Sequence, residues 1–252
     1  MEIVLNNVSY QKYIKDVSID FHSGIIYGLT GKNSSFLFRI IGNDINDYKG
    51  DIVSDTKVKS VIISSFDDVF YTTTVKEEFE FIPRVNHCRN NNIKQEVIEI
   101  FYKLNLDESL YNRKINSLSK SERVLIKISL AIILDPNIII FDHIFDGLDL
   151  KFRKKLKELL NKIKKDKIII INDSDSNILY DITDYIYIVK NATIVLSGFT
   201  NDVYTNVEQL NKLKIEVPYL SDIAYKAKKN KNIKLFYRKD VRDTMKDIYR
   251  NV

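Results

Sequence analysis

Glycine is scarce: the chain of 252 residues contains only 7, where average usage would supply roughly 18. A protein that wraps phosphates with its backbone rarely does so with that few, because close backbone approach favours residues without a Cβ. Cysteine is scarcer still. The single Cys88 excludes an internal disulfide and a cysteine-based metal cage. With no export signal at the start, this points to a cytosolic chain. No apolar run approaches the ~20 residues that a bilayer-spanning helix requires. Charge of one sign is not in great excess either, since 39 basic against 34 acidic residues leave a net +5. The basic residues are scattered among Ile and Asn rather than gathered in a stripe, so no nucleic-acid partner is expected. What is abundant is apolar mass, 44% of residues beside 29% charged. That suffices for one large domain, or one domain with a small appendage, and excludes disorder.

The patterning specifies an α/β protein. Ile3–Leu5 and Val17–Phe21 read as short strands, the second placing Val17, Ile19 and Phe21 inward against Ser18 and Asp20 outward. After the turn His22-Ser23-Gly24, Ile25–Leu29 reads as a buried strand. The segment Ser34–Gly42 then reads as a helix, with serines to cap its start and Gly42 to end it. Strand, glycine turn, helix is the setting in which phosphate-binding loops occur. Val97, Ile98, Phe101 and Leu104 lie at helical spacing, and Ser119-Lys120-Ser121-Glu122 forms a capping box ahead of an apolar helix that Asp135-Pro136 ends. Ile138–Phe141 and Ile168–Ile171 read as buried strands, separated by an amphipathic helix carrying Phe152, Leu156, Leu159, Leu160 and Ile163. Tyr185–Val189 and Thr193–Leu196 make a hairpin around Lys190-Asn191. Buried strands alternating with helices imply a largely parallel sheet. From Asp202 onward the chain is Lys-rich and helical.

Several motifs follow one another in a fixed order: Gly28-Leu29-Thr30-Gly31-Lys32-Asn33, then Leu118-Ser119-Lys120-Ser121-Glu122, then Ile138–Phe141 with Asp142-His143, then Asp146-Gly147-Leu148-Asp149. This order resembles the ATP-binding cassette (ABC) ATPases over nearly the whole chain. Within that family the chain is most similar to the ATPase subunits of energy-coupling factor transporters. Two stretches carry the narrower likeness. One is Ser65-Phe66-Asp67-Asp68 leading into Thr73–Phe81, similar to the region of the glutamine loop. The other is Gly198–Tyr204 with Glu208-Gln209-Leu210 and Val217-Pro218, similar to the C-terminal tail.

The family's chemical groups are mostly replaced. Its phosphate loop reads G-x-x-G-x-G-K-S-T, and aligning the flanking strand and helix leaves this chain about four residues short. Gly31, Lys32 and Asn33 precede the gap, and Ser34 and Ser35 follow it. Lys32 has two readings, a phosphate contact or a solvated lysine at a shortened turn, and the missing length favours the second. By the resemblance, the glutamine that senses Mg²⁺ and the membrane partner becomes Ser64, the general base becomes His143, and the switch histidine becomes Ser174. His143 is able to accept a proton near neutral pH but carries no negative charge to orient water beside Mg²⁺. The signature L-S-G-G-Q becomes Leu118-Ser119-Lys120-Ser121-Glu122, with Lys120 in place of a glycine. Asp142, the Mg²⁺ ligand of the resemblance, and Ser119, its phosphate contact, survive together with Asp149. Asp142 also serves simply to end a strand, and Ser119 to cap a helix.

The resemblance implies an α/β cassette of the P-loop type with an N-terminal antiparallel portion. Residues 1–200 would form the ATPase-like domain, with a helical subdomain at about 75–135, and 201–252 a helical extension. It implies a catalytically impaired, peripheral subunit at the cytoplasmic face of the membrane, paired with a competent second ATPase subunit on a transmembrane scaffold. ATP and Mg²⁺ would be shared at a composite site with the partner, and none bound by this chain alone. The alternatives are an active ATPase with a rearranged loop, and a soluble scaffold or regulator that kept the fold.

Overall fold

The structure, a computed structural model, describes residues 1–252 apart from 65–68, 87–91, 232, 234 and 252. The Ser65–Asp68 stretch and Cys88 therefore lie outside the described residues. Two sheets organise the chain. β1 (Glu2–Tyr10) and β2 (Ile14–His22) pair as an antiparallel hairpin. β3 (Ile26–Gly31) and α1 (Ser35–Ile41) follow, and β4 (Lys49–Ser54) returns to the far side of β1. β5 (Ser60–Ser64) opens the second sheet. α2 (Val75–Val85), α3 (Ile93–Leu104) and α4 (Lys120–Ile133) then form a helical layer. The chain continues through β6 (Ile138–Asp142), α5 (Leu150–Ile163), β7 (Ile168–Asn172), α6 (Ser176–Ile182), β8 (Tyr185–Lys190) and β9 (Thr193–Phe199). The second sheet has the order β5-β6-β7-β3-β8-β9, parallel except for the antiparallel edge strand β9. Four helices complete the tail: α7 (Thr200–Thr205), α8 (Val207–Lys212), α9 (Tyr219–Lys231) and α10 (Val241–Asn251).

The isoleucine runs explain the layering. Successive strand residues face opposite sides, so Ile139, Phe141, Ile169 and Ile171 enter the core beneath the helices. Ile138, Ile140, Ile168 and Ile170 enter a second core beneath the antiparallel sheet and α1. A strand buried on both faces needs no polar alternation, which is why these segments are continuously apolar. α4 begins as its sequence requires. Ser119 Oγ accepts from the Glu122 amide at 3.2 Å while the Glu122 carboxylate accepts from the Ser119 amide at 2.6 Å.

Local expectations fail in three places. Ser34 does not cap α1: its backbone is already helical and its hydroxyl donates elsewhere. Gly42 has φ −72° and does not turn the chain; Asn43, at φ 63°, does. A side chain on Gly42 would press on Ile62 and the Phe38 carbonyl, so glycine is there for packing space. The β8–β9 turn is centred on Asn191 and Ala192, both left-handed, one residue later than the composition suggests.

Candidate functional site

The carboxyl ends of the parallel strands form a line. In register, Ser64 of β5 lies beside Asp142 of β6, Asp142 beside Asn172 of β7, and Asn172 beside Leu29 of β3. In open parallel sheets this edge is where ligands bind. Gly31 and α1 are joined by only Lys32, Asn33 and Ser34. The turn is tight: the Ser34 amide donates to the Gly31 carbonyl at 3.2 Å, and Asn33 takes φ 72°.

Gly31 itself is committed to the sheet. It pairs with Val189 of β8 at φ +114°, and a Cβ there would overlap the Val189 carbonyl oxygen and lie 2.8 Å from its carbon. Its missing side chain thus admits a neighbouring strand rather than a ligand. Ser34 is buried, and its hydroxyl proton has two acceptors at 2.8 Å, the Gly31 carbonyl and Asn172 Oδ1. Asn172 Nδ2 in turn donates to Asp142 Oδ1 at 2.6 Å. A carboxylate only accepts, so the amide nitrogen must face Asp142 and the amide oxygen Ser34. A chain Ser34–Asn172–Asp142 thus ties the turn to two strand ends.

A cleft of about 430 Å³ opens beside this chain, lined by Gly31, Lys32, Ser34, His143 and Ser174 among the residues expected from sequence. His143 sits at φ 53°, its amide bonded to the Asn172 carbonyl at 2.9 Å. Residues without an expected role also line the cleft: Asn172, Asp173, Lys190, Tyr204, Lys214 and Glu216. Lys190 Nζ reaches the Leu213 carbonyl and anchors the tail across the opening. Burial pushes the Tyr204 hydroxyl far above the ordinary phenol range, and the charges of Glu216, Asp175 and Asp173 push it further. The cleft as a whole carries both signs, Asp173 and Glu216 against Lys32, Lys190 and Lys214.

Mg²⁺ with a triphosphate does not fit this turn as a backbone cradle. The glycine is closed by β8, and the serine hydroxyl and one Asp142 oxygen are engaged with Asn172. Among the described residues no group of three or more His, Cys, Asp or Glu side chains is placed to hold a metal.

The remaining expected residues stand apart. Ser35 opens α1. Ser64 lines a separate groove of about 160 Å³ with Phe70, Tyr71, Glu78 and Lys127. Ser119 and Lys120 begin α4, where the Lys120 stem crosses Gly147, its Cε 3.2 Å from where a Cβ of that glycine would lie. Ser121 Oγ donates to the Gly147 carbonyl at 2.8 Å. Asn172 is the residue that sequence reasoning passed over. Its signal was a single amide ending a run of four isoleucines.

The ABC transporter family model matches residues 14–145. A putative ABC transporter ATP-binding protein of Clostridium tetani is 30% identical over 82% of this chain, which spans about half (51%) of that relative. The energy-coupling factor transporter ATP-binding protein EcfA1 of Mycoplasma mobile is 27% identical, with 94% of this chain and 93% of the relative covered. In fold, the chain is similar to cbiO1 of Clostridium perfringens, described as part of the ABC transporter complex cbiONQ. The TM-score is 0.70 at 19% identity, covering 88% of this chain and 97% of that one.

Proposed function

This chain belongs to the ABC transporter family, whose ATPases bind ATP with Mg²⁺, and from that premise we propose that it is a catalytically impaired ATP-binding subunit of an energy-coupling-factor-type importer. It works paired with a competent ATPase subunit, on a transmembrane scaffold, at the cytoplasmic face of the membrane. The observation that carries the reading is the turn at Lys32–Ser34, held shut by Gly31 against β8 and by the Ser34–Asn172–Asp142 chain. The Gly31 backbone, the Ser34 hydroxyl and one Asp142 oxygen are thereby taken up, and His143 supplies no carboxylate. α4, by contrast, keeps an intact capped start, and the Ser119 hydroxyl accepts from Glu122 with its own proton left to donate. The helix dipole there favours an anion, which fits the second half of a composite site completed by the partner's phosphate loop.

Two further features support the assembly. Among the described residues no helix is long and apolar enough to cross a membrane, which fits a subunit seated on a separate transmembrane scaffold. Val69, Tyr71, Phe81 and Val85 are exposed on or beside α2, near the groove that holds Ser64. Exposed apolar groups gathered this way mark protein-binding surfaces. The 201–252 helices are read as an extension of the 1–200 ATPase-like domain. The test is Mg²⁺-ATPase activity of the purified chain, alone and after reconstitution with a partner ATPase and scaffold. Activity is expected only in the assembly. Turnover near ~1 s⁻¹ by the isolated chain, abolished by Asp142→Ala, would overturn the proposal.

A further inference from the structure

The basic residues of this chain look scattered in sequence, but one helix sorts them. Residues 151–167, which hold α5 and the turn after it, carry nine Lys or Arg against two acids, Glu158 and Asp166, a net +7 in a chain whose total is +5. Part of that charge is used internally, as Lys157 pairs with Asp181 at 2.6 Å and Lys164 with Asp184 at 2.8 Å. The rest is ordered by the helix period. At 3.6 residues per turn, Lys151, Lys154, Lys155, Glu158 and Lys162 fall on one stripe about 16 Å long, turned away from the buried Leu156, Leu159 and Leu160. Lys151, Lys154 and Lys162 are exposed on it.

This stripe forms one wall of a groove of about 500 Å³, where Lys155, Glu158 and Lys162 meet Tyr102, Lys103 and Asp107 from the end of α3 and the turn beyond it. Leu106, buried and apolar, also lines the groove. The α3 wall is fixed by its backbone: Asn105 ends the helix at φ 60°, and the Leu106 amide donates back to the Phe101 carbonyl at 2.8 Å. Both acids of the groove have partners of their own. Asp107 accepts from the Ser109 amide at 2.8 Å, and Glu158 accepts from Lys155 at 2.9 Å. Lys103 and Lys162, one from each wall, are exposed. Beside them Tyr102 is 86% exposed, and an aromatic ring held out at a groove is the kind of group that anchors protein interfaces. The mixed lining selects among anionic partners. A bilayer surface would reach only the rim. A nucleic acid carries phosphates without a neutral break, and these would meet Asp107 and Glu158. A peptide can set carboxylates on the lysines and amides on the two acids, while an apolar side chain packs on Leu106 and Tyr102.

We propose that the groove between the end of α3 and α5 docks an acidic peptide segment of a partner protein, its carboxylates on Lys103, Lys162 and the α5 stripe and an apolar side chain against Tyr102. The inference goes beyond the impaired-subunit reading and does not depend on it, since it involves no nucleotide and neither sheet edge. The probe is a fluorescein-labelled synthetic peptide of glutamates around one central leucine, titrated into the full chain by fluorescence anisotropy. Binding is expected to weaken steeply as salt rises. Lys103→Glu/Lys162→Glu is expected to weaken it about tenfold, since each reversal turns a surface attraction into a repulsion. Tyr102→Ala is expected to weaken it about threefold at unchanged net charge. Lys12→Glu/Lys228→Glu, an equal charge change on other exposed lysines, is expected to weaken it less than about twofold. Melting within roughly 4 °C of the parent checks that each variant is folded. Unlabelled peptide should displace the probe at lower concentration of negative charge than oligodeoxythymidylate or phosphatidylglycerol vesicles do. No measurable binding, equal weakening by both double variants, or no effect of Tyr102→Ala would overturn the proposal. Stronger displacement by the oligonucleotide or the vesicles would overturn it too, because the face would then serve a uniform polyanion.

Discussion

Alanine at two glycines separates the two ways in which this backbone uses the residue. Gly24 and Gly31 have φ of +94° and +114°, a region that a side chain enters only under strain. That strain costs roughly 1–3 kcal/mol at each site. Around Gly24 there is nothing within 4 Å of a new Cβ, so the backbone term is the whole cost. At Gly31 the new atom would overlap the Val189 carbonyl, and β3 must move away from β8. Breaking one or two ladder bonds costs about 1 kcal/mol each, and a buried carbonyl left unpaired roughly 1–3 more. The expected totals are therefore about 2 kcal/mol for Gly24→Ala and about 4–5 for Gly31→Ala. For a chain of this length each kcal/mol lowers Tm by roughly 2–4 °C, which predicts losses of about 4–8 °C and about 8–20 °C. Thermal melting followed by far-UV circular dichroism reads both. Equal losses would refute the reasoning, because they would mean that Gly31 stands clear of β8 and that the turn has room for a ligand.

Three further outcomes are expected. His143→Glu alone will leave the isolated chain without Mg²⁺-ATPase activity, since a general base acts only on a nucleotide already held in place; hydrolysis gained by that single change would contradict the closed turn. The Tyr27 hydroxyl is pushed up to about 12, chiefly by burial. Because the folded value lies above the ordinary 10, the unfolded chain loses that proton first and stability declines between pH 10 and 12; Tyr27→Phe should flatten the decline in urea midpoints measured across that range, and an unchanged slope would exclude the assignment. Ser119→Ala should cost ~1 kcal/mol through the lost cap and Lys120→Glu little in stability, yet both should depress ATP hydrolysis by the reconstituted pair; parental activity in both would mean that α4 touches no nucleotide.

The parts of the fold legible in the sequence are those in which one local rule acts alone. The capping box of α4 needs only residues three apart, and the Ile138 and Ile168 runs report two-sided burial directly. Where two rules compete, the sequence misleads. Ser34 has the side chain of a cap, but a three-residue turn brings Asn172 within reach, and the longer-range bond wins. Gly42 has the freedom to end α1, but the nearby Ile62 side chain uses its missing Cβ instead. The site was legible only as separate positions. Asp142 and Ser34 were singled out individually, whereas Asn172, which joins them, lies 30 residues from one and 138 from the other. The lining by Lys214 and Glu216 depends on how the tail folds back, and no periodicity in the tail carries that information.

On the impaired-subunit proposal, a phosphate cradle can be lost without the fold because of where the stabilising contacts lie. The central strands bury one side under the helices and the other under the antiparallel sheet, and both cores are built mainly of Ile, Leu, Val and aromatic residues, none of them from the Lys32–Ser34 turn itself. At ~25 cal/mol per Å² of buried apolar surface, these cores outweigh any contribution from a surface turn of three residues. Shortening the turn therefore removes little stability, and the strand ends can rebuild their hydrogen bonds among Ser34, Asn172 and Asp142. Ser119 is accounted for in the same way. Its hydroxyl and Glu122 would be retained for the cap alone, and Ser121 for its bond to Gly147. Only ATP hydrolysis measured in the proposed assembly separates capping from contact. The Lys120 position makes that measurement decisive, because an exposed side chain running over Gly147 contributes little to folding while standing at the mouth of any composite site.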